Sequence, residues 1–331
     1  MEYRQLGTSD MNVSVIAFGA WQLGDLDYWG DDDQADAEAA VKTALDHGVN
    51  LYDTAEMYGQ GRSEAVLGKA LGERRKDIYI ATKFWPDVET RDDITARCHR
   101  SLDFLKTDYI DLYQVHWPLH TMAAEDAVAE LLELQSQGKI RHIGLSNYGV
   151  DQLNDWIQHA SAVSNQMAYN LLFRAIEYGV VPLCQHHTIG ILTYMPVMQG
   201  MLAGRYDSPG AMPKTRRRTR HFAGHREGVL HNGPGLEDLT FETIGKIKQI
   251  AHDHNVDMAA LAIAWAYQQP GITSAIIGAR KPDQLERNLK AAHITLDPGA
   301  LQALYDATRP LKEALGPNPD MWKPGEESRI H

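Results

Sequence analysis

The stretch "NLYDTAEMYGQGRSE", residues 50–64, decides the reading of the fold. After the turn-forming His47-Gly48, residues Asn50, Leu51 and Tyr52 read as a short strand. An acid, Asp53, stands where that strand should end, and a phenol, Tyr58, follows just before the Gly59-Gln60-Gly61 turn. Ser63 then reads as the N-cap of a helix that Gly72 terminates. The unit is a strand, a polar exit, a loop and a helix.

That unit recurs. Further apolar runs at 13–20, 77–84, 109–117, 140–147, 164–170, 190–196 and 273–279 bring the candidate strands to eight. Amphipathic stretches at 33–46, 63–71, 91–105, 124–137, 150–159, 175–187 and 282–290 fill the gaps, with Asp151 as a cap signal after Gly149. Two helices, around 241–253 and 258–268, precede the eighth strand and enlarge the seventh connection. Eight alternating units predict an α/β fold closed as a (β/α)8 TIM barrel. An open doubly wound sheet would carry a GxGxxG turn after its first strand, and the sequence has none there. The segment YRQLGTSDMNV reads as a hairpin that plugs the barrel bottom. Residues 1–331 form one domain in this reading, with a long loop at 205–235 and a tail at 312–331 as appendages. The Pro- and Gly-containing end from Pro298 either covers one mouth or is loose.

Composition bounds the function. The 331 residues are 44% hydrophobic and 23% charged, and no apolar run approaches the roughly 20 residues of a membrane span. A net charge of −12 disfavours nucleic acid and anionic lipid as partners. The N-terminus has no basic segment followed by an apolar one, so a cytoplasmic enzyme is expected. Cys98 and Cys184 are too few for a disulfide framework. DDDQAD, residues 31–36, lacks the glycine of a calcium loop, and the His186-His187 and His252/His254 pairs lack zinc spacing, so no metal is expected. Residues 214–226, KTRRRTRHFAGHR, read either as a solvated loop or as a cover over an anionic cofactor.

In a barrel, groups at the C-terminal strand ends meet at one face. The exits of the second, third and fourth strands carry Asp53, Lys83 and His116, and Tyr58 lies on the loop beside them. An ammonium about 4 Å from a phenol, at an effective dielectric near 20, favours phenolate by roughly 4 kcal/mol. Lys83 would thereby bring Tyr58 towards working pH, Asp53 would keep Lys83 charged, and His116 would orient a substrate carbonyl.

DTAEMYG, ATKF, LYQVHWP and IGLSNY, in that order and spacing, resemble the aldo-keto reductases, and the similarity runs from YRQLG at residue 3 to ERNL at residue 289. The resemblance implies an NADPH-dependent reductase of an aldehyde or ketone, possibly sugar-like, with Tyr58 as general acid and the reverse oxidation open to the same site. It implies that Ser146, Asn147 and Gln166 meet the nicotinamide carboxamide and that Tyr194 stacks on the ring. PVMQGMLAGRY, residues 196–206, is similar to the family's phosphate-crossing segment, with Val197, Gln199 and Gly200 near the pyrophosphate. Gly278, Ala279, Arg280, Gln284 and Asn288 match the adenosine end, and the Arg280 guanidinium suits a 2′-phosphate. Met195 and Met198 replace a usual serine and a usual small residue, and Arg287 stands where a glutamate is common. Trp21, Trp29, Trp85 and Trp117 fall near the mouth, and Trp21 and Trp117, which adjoin strand exits, are the expected substrate walls. The rival implication of the same resemblance is a cofactor-sensing regulatory subunit like the channel-associated members.

Overall fold

A computed structural model describes residues 1–30 and 34–331. The acid-rich stretch Asp31–Asp33, including the expected helix start at Asp33, lies outside the described residues. The chain opens with an antiparallel hairpin, β1 (Tyr3–Gln5) and β2 (Asn12–Ser14). Eight parallel strands follow: β3 (Ile16–Gly19), β4 (Leu51–Asp53), β5 (Tyr79–Phe84), β6 (Ile110–Val115), β7 (Ile140–Ser146), β8 (Ser164–Ala168), β9 (Gly190–Tyr194) and β10 (Ile272–Gly278). Each pairs with the next, and β10 returns to β3 with Ala275 opposite Ile16, closing the barrel.

Strands β4, β6 and β8 are buried at every position, as a sheet covered on both faces requires. One face of the barrel packs on the helices through residues such as Phe18, Ile80, Tyr113 and Leu145. The other fills the lumen with Ala17, Leu51, Ala81, Leu112, Leu192 and Ile276. Leu6, Met11 and Val13 of the hairpin join that lumen cluster, so the hairpin does plug one end. Gly68 lets two outer helices approach closely: a Cβ there would fall 2.4 Å from the carbonyl oxygen of Leu105.

Several helix boundaries differ from the sequence reading. The helix Arg62–Leu71 starts at Gly61, whose φ of 91° suits glycine, and Ser63 does not cap it. The Ser63 hydroxyl instead donates to the Ala20 carbonyl at 2.7 Å and lies 2.8 Å from Thr54 Oγ1, tying the helix to the barrel rim. Likewise Gly149, not Asp151, caps the helix Val150–Ile157, and Gln152 Oε1 accepts from the Gly149 amide. The stretch expected as one helix at 175–187 breaks at Gly179 into a 3-10 turn, Ala175–Tyr178, and a helix, Val180–His186.

The largest difference is beyond residue 298. Pro298–Leu315 is a helix whose N-terminus is capped by Asp297, with Oδ1 accepting from the Ala300 amide at 2.9 Å. Leu304, Leu311 and Leu315 on one face are buried, and the helix packs on Glu237–Asp253. Residues 316–331 then cross the barrel mouth. The Arg220 guanidinium holds them there by donating to the carbonyls of Leu315, Asn318 and Asp320. The terminus is seated on the 150–157 helix: Asp151 N donates to His331 O at 3.0 Å and His331 N to Gln152 Oε1 at 2.8 Å.

Candidate active site

At the C-terminal ends of the strands lies a cleft of about 400 Å³ that runs from Asp53, Tyr58 and His116 to Arg280, Gln284 and Asn288. Its floor begins at β4 and β5. Lys83 is fully buried, and its ammonium donates to Asp53 Oδ1 at 2.7 Å and to the Thr54 carbonyl at 2.7 Å, with Tyr58 OH at 3.4 Å. The three partners use the three donors of an ammonium. The second carboxylate oxygen, Asp53 Oδ2, accepts from Gln166 Nε2 at 2.7 Å. Backbone pairing sets these heights: Asp53 is opposite Gly19 and Ala81, and Gln166 is opposite Ser146. His116, one residue past β6, stands edge-on to Tyr58 with ring centroids 5.6 Å apart, and its Nδ1 has no partner among the described residues.

Electrostatics corrects one expectation. Burial pushes the Tyr58 phenol well above its ordinary value, and the Asp53 carboxylate adds to that rise. Burial lowers the Lys83 ammonium, against the opposing pull of Asp53. The net shift is therefore upward: desolvation of the phenolate outweighs the pull of the Lys83 ammonium. Tyr58 is a protonated donor. His116, pushed well below its ordinary value by burial and then by Lys83, is a neutral imidazole. Behind Lys83, Glu64 Oε1 accepts from Thr82 at 2.6 Å, and burial raises this carboxyl to about 7. The folded protein thus holds a proton that the unfolded chain releases near pH 4.5, so this group's contribution to stability declines as pH rises from about 4.5 to about 7. The Glu64→Gln variant is expected to gain on the wild type across that window, by about 3 kcal/mol at its top, read from urea midpoints at each pH.

The expected cofactor residues divide in their placement. Ser146, Asn147, Gln166, Tyr194, Val197, Gln199, Gly200, Gly278, Arg280, Gln284 and Asn288 all line the cleft. Asn147 sits at φ 63°, and its Oδ1 accepts from Tyr194 OH at 2.6 Å. The Tyr194 ring lies 6.2 Å from that of Trp322 and nearly parallel to it. Met195, Met198, Gln199 and Gly200 all have positive φ, so the crossing segment folds as a tight non-helical turn. In place of a hydroxyl there, Met195 Sδ faces Gln199 Nε2 at 3.7 Å. Ala279 is fully buried beside the lining. Arg287 is not brought to the cleft: it is on the exposed side of its helix, paired with Asp283 at 2.9 Å.

The tryptophans expected near the mouth, Trp21, Trp29, Trp85 and Trp117, all line the cleft. Met57, Tyr28 and, from the tail, Trp322 and Arg329 join them and were not reached from sequence. Trp85 owes its position to Glu56, a buried carboxylate that accepts from the Trp85 amide at 2.9 Å and pairs with Arg97 and Arg100. The basic stretch is divided in its placement, Arg220 holding the tail as described above. Arg226 pairs with Glu237, whereas Arg216 and Arg218 line the cleft, their guanidiniums 5.0 and 5.8 Å from the rings of Trp29 and Tyr28. Among the described residues no group of side chains has a metal-ligand arrangement, and no helix is long and apolar enough to cross a membrane.

Comparison with known proteins places this geometry. Residues 15–307 match the model of the Aldo/keto reductase family. The aldo-keto reductase YhdN of Bacillus subtilis is 32% identical over 86% of this chain and 87% of its own. A probable voltage-gated potassium channel subunit beta of Arabidopsis thaliana is also 32% identical, over 89% of this chain and 92% of its own. Among solved structures, the glycerol dehydrogenase AKR11B4 from Gluconobacter oxydans superposes with a TM-score of 0.82 at 26% identity, covering 98% of this chain and 99% of that one. An aldo-keto reductase from Klebsiella pneumoniae in complex with NADPH gives 0.73 at 25% identity, covering 97% of each.

Proposed function

Because the chain belongs to the aldo/keto reductase family of NAD(P)H-dependent carbonyl oxidoreductases, we propose that it reduces a small aldehyde or ketone to the alcohol, with Tyr58 delivering the proton and NADPH the preferred cofactor. The observation that carries this reading is the buried set Lys83, Asp53 and Tyr58, joined at 2.7 and 3.4 Å at the inner end of the cleft. The fit to a dinucleotide rests on unpartnered polar atoms. Buried Oε1 of Gln22, Nε1 of Trp29, Oε1 of Gln199 and Nε of Arg216 have no hydrogen-bond partner among the described residues, and all four residues line this cleft. Such atoms call for a ligand or water to complete them.

A bound nicotinamide would supply the hydride for the carbonyl carbon. Tyr58 gives its proton to the carbonyl oxygen, and solvent reprotonates the resulting phenolate. The high phenol pKa is compatible with this, since the acceptor is a nascent alkoxide, a far stronger base. Lys83 then stabilises the phenolate at 3.4 Å, held in place by Asp53. Neutral His116 orients the carbonyl as a hydrogen-bond donor. Ser146, Asn147 and Gln166 would hold the carboxamide, Tyr194 would flank the ring, and Gly278, Arg280, Gln284 and Asn288 would take the adenosine end. Arg216 and Arg218 support the reading of the basic loop as a cofactor cover. A cytoplasmic location belongs to the same proposal, supported by the requirement for reduced cofactor.

The test is NADPH oxidation followed at 340 nm across an aldehyde panel. Turnover is expected, and Arg280→Ala should weaken NADPH about 10- to 100-fold while changing NADH much less. Equal losses for both cofactors would remove Arg280 from 2′-phosphate recognition. The channel-subunit relative favours a second reading, a regulatory cofactor sensor. NADPH binding without turnover on the whole panel, together with capture of one partner, would favour that reading instead.

A further inference from the structure

The ladder between β4 and β5 ends at Asp53, which is opposite Ala81. Lys83 lies further along β5, where its register partner is Gln114 on the other neighbouring strand. On the β4 side the chain has left the sheet at this height, and two backbone bonds follow, Thr54 N to Ala81 O at 2.8 Å and Glu56 N to Lys83 O at 3.2 Å. The Lys83 ammonium acts by its distance from Asp53 and Tyr58, so the end of β5 has to be held firmly where the sheet no longer holds it on that side.

The helix Arg62–Leu71 supplies side-chain ties at this height. Thr82 and Lys83 are successive on β5 and point to opposite faces. Lys83 turns to Asp53 and Tyr58, whereas Thr82 turns to the helix, and its hydroxyl donates to Glu64 Oε1 at 2.6 Å. Ser63, the preceding residue, meets Thr54. The Ser63 hydroxyl gives its one proton to the Ala20 carbonyl at 2.7 Å, so in the 2.8 Å contact with Thr54 it is Thr54 Oγ1 that donates. The Thr54 carbonyl in turn accepts from the Lys83 ammonium. Two adjacent helix residues thus hold the residue before Lys83 and a residue to which Lys83 itself bonds. Thr54, Ser63, Glu64, Thr82 and Lys83 are all fully buried.

Stability does not call for the Glu64–Thr82 pair. Apolar side chains of similar shape at both positions would bury no polar group, and burial works against the Glu64 carboxylate. What the pair does is fix the strand end that carries the ammonium.

We propose that Ser63 and Glu64 are positioning residues for the reaction: through Thr54 and Thr82 they hold the Lys83 ammonium at the distance from Asp53 and Tyr58 that proton transfer requires. The inference rests on the reductase reading and adds to it two residues outside the cleft lining. They touch neither end of the proton transfer.

The double variant Glu64→Leu/Thr82→Val separates positioning from folding, since it removes both partners at once. Its urea midpoint is expected to equal or exceed that of the wild type. With saturating NADPH and an aldehyde that the wild type reduces, kcat should fall about 10- to 100-fold while KM stays within about twofold, because the loss is in the chemical step. A pair needed only for folding would leave kcat of this variant unchanged. Glu64→Gln keeps an acceptor for Thr82 and should recover most of the rate that Glu64→Leu loses; equal losses would place the effect in the carboxylate charge and count against the tether. Ser63→Ala, on the other arm, should lower kcat about 3- to 10-fold and tests the proposal even if the double variant fails to fold. In crystals of the double variant the ammonium should stand at least ~0.5 Å further from Tyr58 OH than in crystals of the wild type. Wild-type kcat in either variant, a loss confined to KM, or an unmoved ammonium would each overturn the proposal. If the wild type reduces no aldehyde, the reductase reading fails separately, and the crystal comparison then decides the tether.

Discussion

Tyr58→Phe is expected to lower kcat for aldehyde reduction by about 10²–10⁴-fold while cofactor affinity holds, because the change removes one hydroxyl and leaves the ring. That hydroxyl lies 3.4 Å from Lys83 Nζ at the inner end of the cleft, and burial keeps it protonated. His116, the other candidate donor, is neutral and lacks a partner at Nδ1 that could resupply its proton. Stopped-flow single turnovers with prebound NADPH separate the chemical step from product release. If the Phe variant turned over at the wild-type rate in that experiment, His116 or solvent would have to be the acid.

Asp53→Leu should have the largest effect on folding. Lys83 has no exposed surface, so losing its carboxylate leaves a buried ammonium with only the Thr54 carbonyl and the phenol as partners, and Gln166 Nε2 loses its acceptor. Breaking a buried pair from one side costs about 3–5 kcal/mol. Chemical denaturation gives the loss, and the double variant Asp53→Leu/Lys83→Met should recover much of it, since removing both charges relieves the imbalance. A single-variant loss below about 1 kcal/mol would mean that Lys83 sheds its proton readily in the folded state. Burial already lowers its affinity for that proton, so Asp53 is what keeps it charged.

Much of this was legible because barrel topology converts sequence order into height. Asp53, Lys83 and His116 could be aligned from strand exits alone, and the structure joins the first two at 2.7 Å. The sign of the Tyr58 shift was not legible: it depends on burial from all sides, and no spacing in the chain reports that. Arg287 was read from its place in a pattern, but on the helix Pro282–Leu289 it faces Asp283, while Gln284 and Asn288, four residues apart, share the cleft side. The helix at 298–315 did have a signal, an Asp followed by Pro at its first position, which the surrounding Pro and Gly content obscured. Trp322 and Arg329 had none. Their approach to Trp117 depends on the path of a tail fixed by Arg220 and by the 150–157 helix, contacts set by tertiary structure alone.

The seam between Ile16 and Ala275 has a consequence for the newly made protein. Until the tenth strand leaves the ribosome, the third and ninth are raw sheet edges with no neighbour to satisfy their amides and carbonyls. A nascent or prematurely stopped chain therefore cannot settle into a smaller working version of itself and is exposed to sticking to its own kind. Chaperone dependence should accordingly fall sharply only for chains long enough to include residue 278, which a series of stalled translation products would reveal.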